Sequence, residues 1–321
     1  MGKEQFDVTF RGVRGSIPAP ISGEEIEEKL IAAFKLAKPD DLKDPQTFVK
    51  NLPDHLKGCF GGNTSCIQVE VDGRQIIFDG GSGLRMLGNE LMKGEFGDGE
   101  GVGHIFLSHT HWDHINGIPF FSPFYVKGNR MTLYGSHKDL KTRLINQQKF
   151  EYFPVPFHKH GADIDFVDLN GVDHYQIGDA LITWKEMDHP GKSYSYKLEF
   201  MGKSLVYATD AEYKKLSKNR LQPTIEFFCG ADLLIFDSQY TFVEGVEKED
   251  WGHSSTFIGV DLAVEAEVKK IAFYHHEPTY SDFKLVNIFE QTVKYLKAIA
   301  PKCKLNMFLA REGMTVDMLS D

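Results

Sequence analysis

The segment His109-Thr110-His111-Trp112-Asp113-His114 constrains this chain more than any other. It follows an apolar run, HIFLS (104–108), and leads into Asn116-Gly117. That places it on a loop where a strand ends and a helix begins. Apolar packing has no use for three imidazoles and a carboxylate so close together. A polar surface turn that happens to be His-rich is the plain alternative, but it gives no reason for the clustering. At a strand end, His109 and His111 are two apart and point the same way. Asp113 and His114 then turn toward a second position. Nitrogen and oxygen donors of this kind suit zinc, and also iron or manganese.

Three later residues repeat the placement at a strand end. His189 lies in MDHPG after LITWKEM, Asp210 in YATDAE after SLVYA, and His275 in FYHHEP after KKIAF. Each alone is weak, because a lone His near a turn is more often a surface or capping residue. Their order and context become specific only beside the His cluster. Asp79, in FDGG, is another strand-end carboxylate, with Gly80, Gly81 and Gly83 allowing a tight turn and close backbone approach.

The hydrophobic pattern supplies the frame. Phe6–Phe10 alternates as a strand, and CIQVEV and QIIFD are joined by Asp72-Gly73, a two-residue hairpin signal. Further strands are expected near 131–134, 164–168, 180–187, 194–200, 204–208 and 233–237, with the strand IAFYH between helices at about 255–267 and 282–299. Helices are also expected near 84–92 and 137–147. The acidic stretch GEFGDGEGVG reads as a surface loop. This mixture predicts an α/β fold of two packed sheets flanked by helices, in a single domain over 1–321.

Residues 22–57 differ in character, being charged and rich in Lys, Glu and Leu. Ser22 with Glu25 resembles a capping box, and Ile26, Leu30, Ala33 and Leu36 recur at helical spacing. Two helices, roughly 23–37 and 45–56, are expected there as an insertion over the core. It reads equally as a lid or as a homodimer contact.

Net charge is −10. Such a field disfavours long polynucleotides and anionic membrane surfaces as partners. The four cysteines form no CxxC pair and are far too sparse for a disulfide scaffold. No apolar run approaches the ~18 residues of a membrane span, and the N-terminus lacks a signal-peptide pattern. A cytoplasmic protein with reduced thiols is expected.

HTHWDH matches the HxHxDH signature of the metallo-β-lactamase superfamily, and His189, Asp210 and His275 fall where that family has its remaining ligands. FDGGSGLR (78–85), WGHSST (251–256) and KKIAFYHHEPTYSD (269–282) narrow the likeness to the branch with phosphodiesterases and tRNA 3′-processing ribonucleases. The resemblance runs from Phe10 to about Asp282, leaving out the insertion and the last segment. It implies a four-layer αββα sandwich and two divalent ions, zinc first, with manganese or iron as alternatives. His109, His111 and His189 would bind one ion; Asp113, His114 and His275 would bind the other; Asp210 would bridge them. The H-x-S-P-R-Y pattern of the family favours His275 over its neighbour His276, which would face substrate or pack. Asp79 would orient a ligand histidine.

Catalytic roles are implied for Asp113 and for His253, the general-acid candidate in GHSST. A metal-bridging hydroxide would attack phosphorus. Asn63 and Arg14 are candidates for the mouth of the site, while His158 and His160 read as a solvated loop. The tRNA-processing ribonucleases carry a Gly/Pro-rich basic arm that this sequence lacks. Asp113 before His114, and Asp210 rather than Cys, point to phosphoester or thioester hydrolysis. The expected function is therefore a phosphodiesterase acting on a small, cyclic-nucleotide-like phosphodiester. An RNA-processing endoribonuclease, a thioester hydrolase and a metal-binding protein without turnover stay open as alternatives.

Overall fold

The computed structural model describes residues 4–214 and 218–320. Six strands of one sheet come first: Phe6–Gly12 (β1), Cys66–Val71 (β2), Arg74–Phe78 (β3), Val102–Phe106 (β4), Arg130–Gly135 (β5) and Asp163–Asp168 (β6). A second sheet follows, built from Tyr175–Ile177 (β7), Ala180–Met187 (β8), Ser193–Phe200 (β9), Lys203–Ala208 (β10), Leu233–Asp237 (β11), Lys270–Tyr274 (β12) and Asn306–Leu309 (β13). Thr315–Asp317 (β14) then returns to the first sheet. The strand orders are β14-β1-β2-β3-β4-β5-β6 and β13-β12-β11-β10-β9-β8-β7.

Both sheets share one plan. One side is an antiparallel meander, and the other is a parallel run: β3 to β6 in the first sheet, β10 to β13 in the second. The hairpin between β2 and β3 turns on Asp72 and Gly73, both at positive φ (47° and 75°), as a primed two-residue turn requires.

Alternation along the strands sorts side chains into three apolar layers. Val8, Phe10, Val69 and Phe78 of the first sheet meet Tyr196, Leu198, Tyr207 and Ile235 of the second, forming the core between the sheets. Ile77, Ile105 and Leu133 point the other way, toward Leu84 and Leu87 of the helix Gly83–Leu91 and Leu144 of the helix Leu140–Gln147. Val206, Phe236 and Phe273 do the same beneath the helices Thr256–Glu265 and Asp282–Ile299. The result is the four-layer αββα sandwich expected from the sequence. No helix among the described residues is long and apolar enough to cross a membrane.

Three local expectations change. The second helix of the insertion divides into Pro45–Asn51 and Asp54–Lys57, because Pro53 disfavours helical backbone in the residue before it. The acidic surface loop contains a short helix, Glu95–Asp98, pinned by the buried ring of Phe96. The last segment, outside the family likeness, supplies an edge strand to each sheet.

The capping box at the insertion is only half formed. The Glu25 backbone N–H donates to Ser22 Oγ, but the Glu25 carboxylate accepts from the Asp282 backbone instead of closing back on Ser22. This joins the insertion to the core. Beside it, Lys29 pairs with Asp282 and also donates to the Gly58 carbonyl, while Arg14 lies 3.6 Å from the other Asp282 oxygen. All three side chains are buried. Asp282→Ala would strand two buried cations, which costs about 3–5 kcal/mol when one partner of a buried pair is removed. Urea unfolding should show that loss; a change below about 1 kcal/mol would mean the pair behaves as an exposed one.

Candidate metal centre

The ends of the strands build the site. Asp79 follows β3, the 109–114 segment follows β4, His189 follows β8, Asp210 follows β10, Asp237 ends β11 and His275 follows β12. Ligand sites in α/β sheets gather outside the carboxyl ends of parallel strands, where the chain turns and side chains of neighbouring strands converge. The turn is sharp here. Asp79, Asp210 and His275 have φ of 61°, 48° and 61°. That left-handed region is uncommon outside glycine, although Asp and His tolerate it better than most residues. Strain of this sort costs of order 1–3 kcal/mol per residue and concentrates at functional sites.

The potential ligand atoms form two groups around Asp210, and a third, overlapping group of Asp210, Asp237, His253 and His275 adjoins them. His109, His111, His189 and Asp210 offer atoms that all lie within 4.8 Å of one another, and so do those of Asp113, His114, Asp210 and His275. Asp210 Oδ2 is 3.5 Å from His109 Nε2 and 3.7 Å from His189 Nε2. Its Oδ1 is 3.2 Å from both His114 Nε2 and His275 Nε2. Asp113 Oδ2 lies 3.2 Å from His114 Nε2 and 3.1 Å from His275 Nε2. His111 alone among these side chains is exposed, so the cluster opens to solvent on its side.

Surrounding hydrogen bonds fix the rings. Asp79 is buried and acceptor-only when ionised; it takes hydrogen bonds from Ser108 N, Ser108 Oγ and Tyr207 OH. His114 Nδ1 lies 2.7 Å from Asp79 Oδ2, so that nitrogen carries the proton and the Nε2 lone pair faces the cluster. His189 Nδ1 donates to the Gly252 carbonyl at 2.8 Å, with the same consequence. Gly252 sits at φ +85°, and a Cβ there would be 2.2 Å from His189 Nδ1, so only glycine fits. Outer partners of this type set tautomer and orientation in metal-binding histidines.

The donor set fits a cation on its own evidence. With their Nδ1 atoms committed, His114 and His189 turn lone pairs inward. His189 Nε2 is 3.1 Å from His111 Nδ1, and His114 Nε2 is 3.3 Å from His275 Nε2. His109 Nε2 is buried with no hydrogen bond. Lone pairs and carboxylates facing one another at such distances call for positive charge between them, and divalent metal ions supply it. Burial, and next the nearby His114, holds His109 well below the usual imidazole range. Burial likewise lowers His111 and His189. Burial alone would raise the carboxyls of Asp113 and Asp210, but a protonated His114 outweighs it and holds both well below the usual carboxylate range, while Asp210 and Asp113, against burial, hold His114 well above the usual imidazole range; a metal ion in the cluster would supply that positive charge instead and free the His114 Nε2 lone pair.

His253 stands beside the cluster. Its ring stacks on His275 at 5.1 Å and meets Tyr240 edge-on at 5.6 Å. Its Nδ1 is 3.0 Å from Asp237 Oδ2 and 4.0 Å from Asp210 Oδ2. Burial opposes the charged ring, yet Asp237, followed by Asp210 and Asp113, offsets this and lifts His253 to about 9.

The structure separates the remaining candidates. His276 is buried, donates Nε2–H to the Ala310 carbonyl at 2.9 Å and packs against Phe60; it joins neither ligand group. Asn63 is engaged with Glu312 and Ser82. Arg14 is buried and donates to the carbonyls of Gly61, Glu277 and Tyr280, tying three loops together behind His275. Sequence reasoning missed Asp237, although it ends an apolar strand, as Asp79 does. It also missed the Ser16 backbone N–H, which donates to Asp113 Oδ2 at 2.7 Å.

The family described as "Beta-lactamase superfamily domain" matches residues 74–276, a span holding both ligand groups, Asp79, Asp237 and His253. The chain is similar to Ribonuclease Z of Haloferax volcanii, at 25% identity over 268 residues, covering 68% of this chain and 80% of that protein. It is also similar to Ribonuclease Z of Metallosphaera sedula, at 26% identity, covering 67% and 82%. Among solved structures, the metallo-beta-lactamase fold protein YhfI from Bacillus subtilis superposes with a TM-score of 0.64 at 18% identity, covering 98% of this chain and all of that one. The short form of human tRNase Z gives a TM-score of 0.60 at 14% identity with the same coverage. The family match extends over more than half of the chain and takes in the whole strand-end cluster, so the chain belongs to the metallo-β-lactamase superfamily of hydrolases.

Proposed function

We propose that the protein is a dinuclear metal-dependent phosphodiesterase whose substrate is a small phosphodiester of the cyclic-nucleotide kind. One observation carries the reading: the two oxygens of Asp210 each face a different ligand group. His109, His111 and His189 would hold one ion, and Asp113, His114 and His275 the other, with Asp210 shared. Bound there, the two ions would supply an activated water at neutral pH and offset negative charge on phosphoryl oxygens. Zinc suits the donor set best, and manganese and iron also fit.

The protein's own groups account for the rest. Asp79 and the Gly252 carbonyl keep two rings in the ligating tautomer. Asp237 holds His253 by Nδ1, leaving Nε2 as the nitrogen that can release a proton to the leaving alkoxide. Asp113 has its carboxylate anchored by the Ser16 N–H, so its contribution is ligation and placement of negative charge.

A second reading, cleavage of RNA, is favoured by the similarity to Ribonuclease Z proteins. The net charge of −10 counts against it, since a polyanion must approach against the field. Elemental analysis together with an assay panel decides: bis(p-nitrophenyl) phosphate, cyclic nucleotides, a structured RNA and a glutathione thioester. Near two metal ions per chain with turnover of the small diesters is expected. Turnover confined to RNA or to the thioester would replace the proposal with that activity, and absence of metal after incubation with zinc and manganese would end it.

A further inference from the structure

Glu212 stands two residues beyond Asp210 and belongs to none of the ligand groups. Its backbone N–H donates to the Asp188 carbonyl at 2.9 Å, beside His189. Its side chain, only 10% exposed, turns to the segment 250–252 that precedes His253. The Asp250 N–H lies 3.1 Å from Oε1 and 3.2 Å from Oε2, and the Gly252 N–H donates to Oε2 at 3.2 Å. Asp250 and Gly252 have φ of 74° and 85°. Left-handed residues in a turn swing backbone N–H groups to one side and make a concavity suited to an anion. Here the anion is the protein's own carboxylate. Lys214 lies 3.4 Å from Glu212 Oε2 and 2.6 Å from Asp250 Oδ1, so the charge is matched while both N–H bonds are kept.

Gly252 links this clasp to the metal centre. Glu212 holds its N–H, and its carbonyl accepts from His189 Nδ1 at 2.8 Å. Glycine has wide backbone freedom, so nothing in the residue itself fixes where that carbonyl points. Little else steadies the segment. Asp250 and Trp251 are exposed. Of the three N–H groups over 250–252, two end on Glu212, and the third stays within the turn, on the Lys248 carbonyl. Without the carboxylate, the Gly252 carbonyl loses its fixed direction, and the His189 ring loses the partner that sets its tautomer and orientation.

We propose that Glu212 is a positioning residue for the ion assigned to His109, His111 and His189, acting through Gly252 on the His189 ring. The inference rests on the dinuclear reading above.

The test is titration with cobalt(II), followed by visible absorption, of wild type, Glu212→Ala and Glu212→Gln. We expect Glu212→Ala to weaken one of the two cobalt ions by about tenfold, the low end of what loss of an outer partner costs, with the other ion bound as in wild type. Glu212→Gln keeps an oxygen where Oε2 stands and should recover most of that affinity. In a His111→Ala background, where the same ion is already impaired, Glu212→Ala should not weaken the remaining one. Ring-nitrogen NMR of the metal-free protein gives a second readout. His189 should keep its proton on Nδ1 in wild type and divide between tautomers in Glu212→Ala. Two ions bound by Glu212→Ala as by wild type, or an unchanged His189 tautomer, overturns this inference alone. Equal weakening of both ions together with a fall in Tm would make Glu212 a general support of the fold and overturn it as well. A wild type that binds no cobalt would end the dinuclear reading, and this inference with it.

Discussion

Asp210→Asn should remove at least one metal ion per chain and lower diester turnover far more than the roughly 10–100-fold that loss of an outer partner costs. The side chain is the hinge of the cluster. Its Oδ1 faces His114 and His275 at 3.2 Å, and its Oδ2 faces His109 and His189. The amide keeps the shape but turns one acceptor into a donor and deletes the negative charge that both imidazole groups share. Burial of the residue leaves no solvent to compensate. Elemental analysis of the purified variant reads the effect directly. Retention of two ions and ordinary turnover would show that the histidines suffice and that the bridging role is misassigned. Asp79→Asn offers a graded comparison, because it removes no atom of either ligand group and acts on the His114 ring through the 2.7 Å contact at Nδ1, together with the Ser108 and Tyr207 hydrogen bonds that the carboxylate accepts.

His253→Gln should leave metal content intact and reduce kcat by ~10²–10⁴-fold on diesters with alkoxide leaving groups, the range that general acid catalysis supplies. The loss on bis(p-nitrophenyl) phosphate should be much smaller, because p-nitrophenolate departs without a proton. This split distinguishes proton donation from packing. The ring also stacks on His275 at 5.1 Å, so a merely structural role would lower metal occupancy and slow both substrates alike. Asp237→Asn tests the same pair from the other side. Against burial, its carboxylate is the largest of the three, ahead of Asp210 and Asp113, that lift His253 to about 9, so its neutralisation should lower the fraction of charged acid at neutral pH. Equal losses on both leaving groups would remove His253 from the proton-transfer step.

The sequence determined the parts of this protein whose signal is local. HTHWDH announces ligands because six neighbouring residues carry four of them, and the strand before it is legible from its apolar run. Strand alternation and the Asp-Gly turn were enough for two packed sheets. His189, Asp210 and His275 could be picked out only through a family likeness, since each is an ordinary residue until the fold brings the strand ends together.

Other features exist only in three dimensions. Asp237 lies sixteen residues from His253 and meets it because the chain after β11 closes back on itself, the Tyr240 N–H donating to the Ser254 carbonyl. Arg14 looked like a residue for the mouth of the site, yet it is buried on the carbonyls of Gly61, Glu277 and Tyr280, whose positions no local pattern encodes. Lys29 meets Asp282 across 253 residues. The left-handed backbone at Asp79, Asp210 and His275 is equally invisible in sequence, because Asp and His occupy many conformations and tertiary packing selects this one. Sequence thus determined which chemistry the chain carries and where strands begin and end. Tertiary structure alone decided which oxygen of Asp210 faces which histidines, because that depends on the register and twist of strands far apart in the chain.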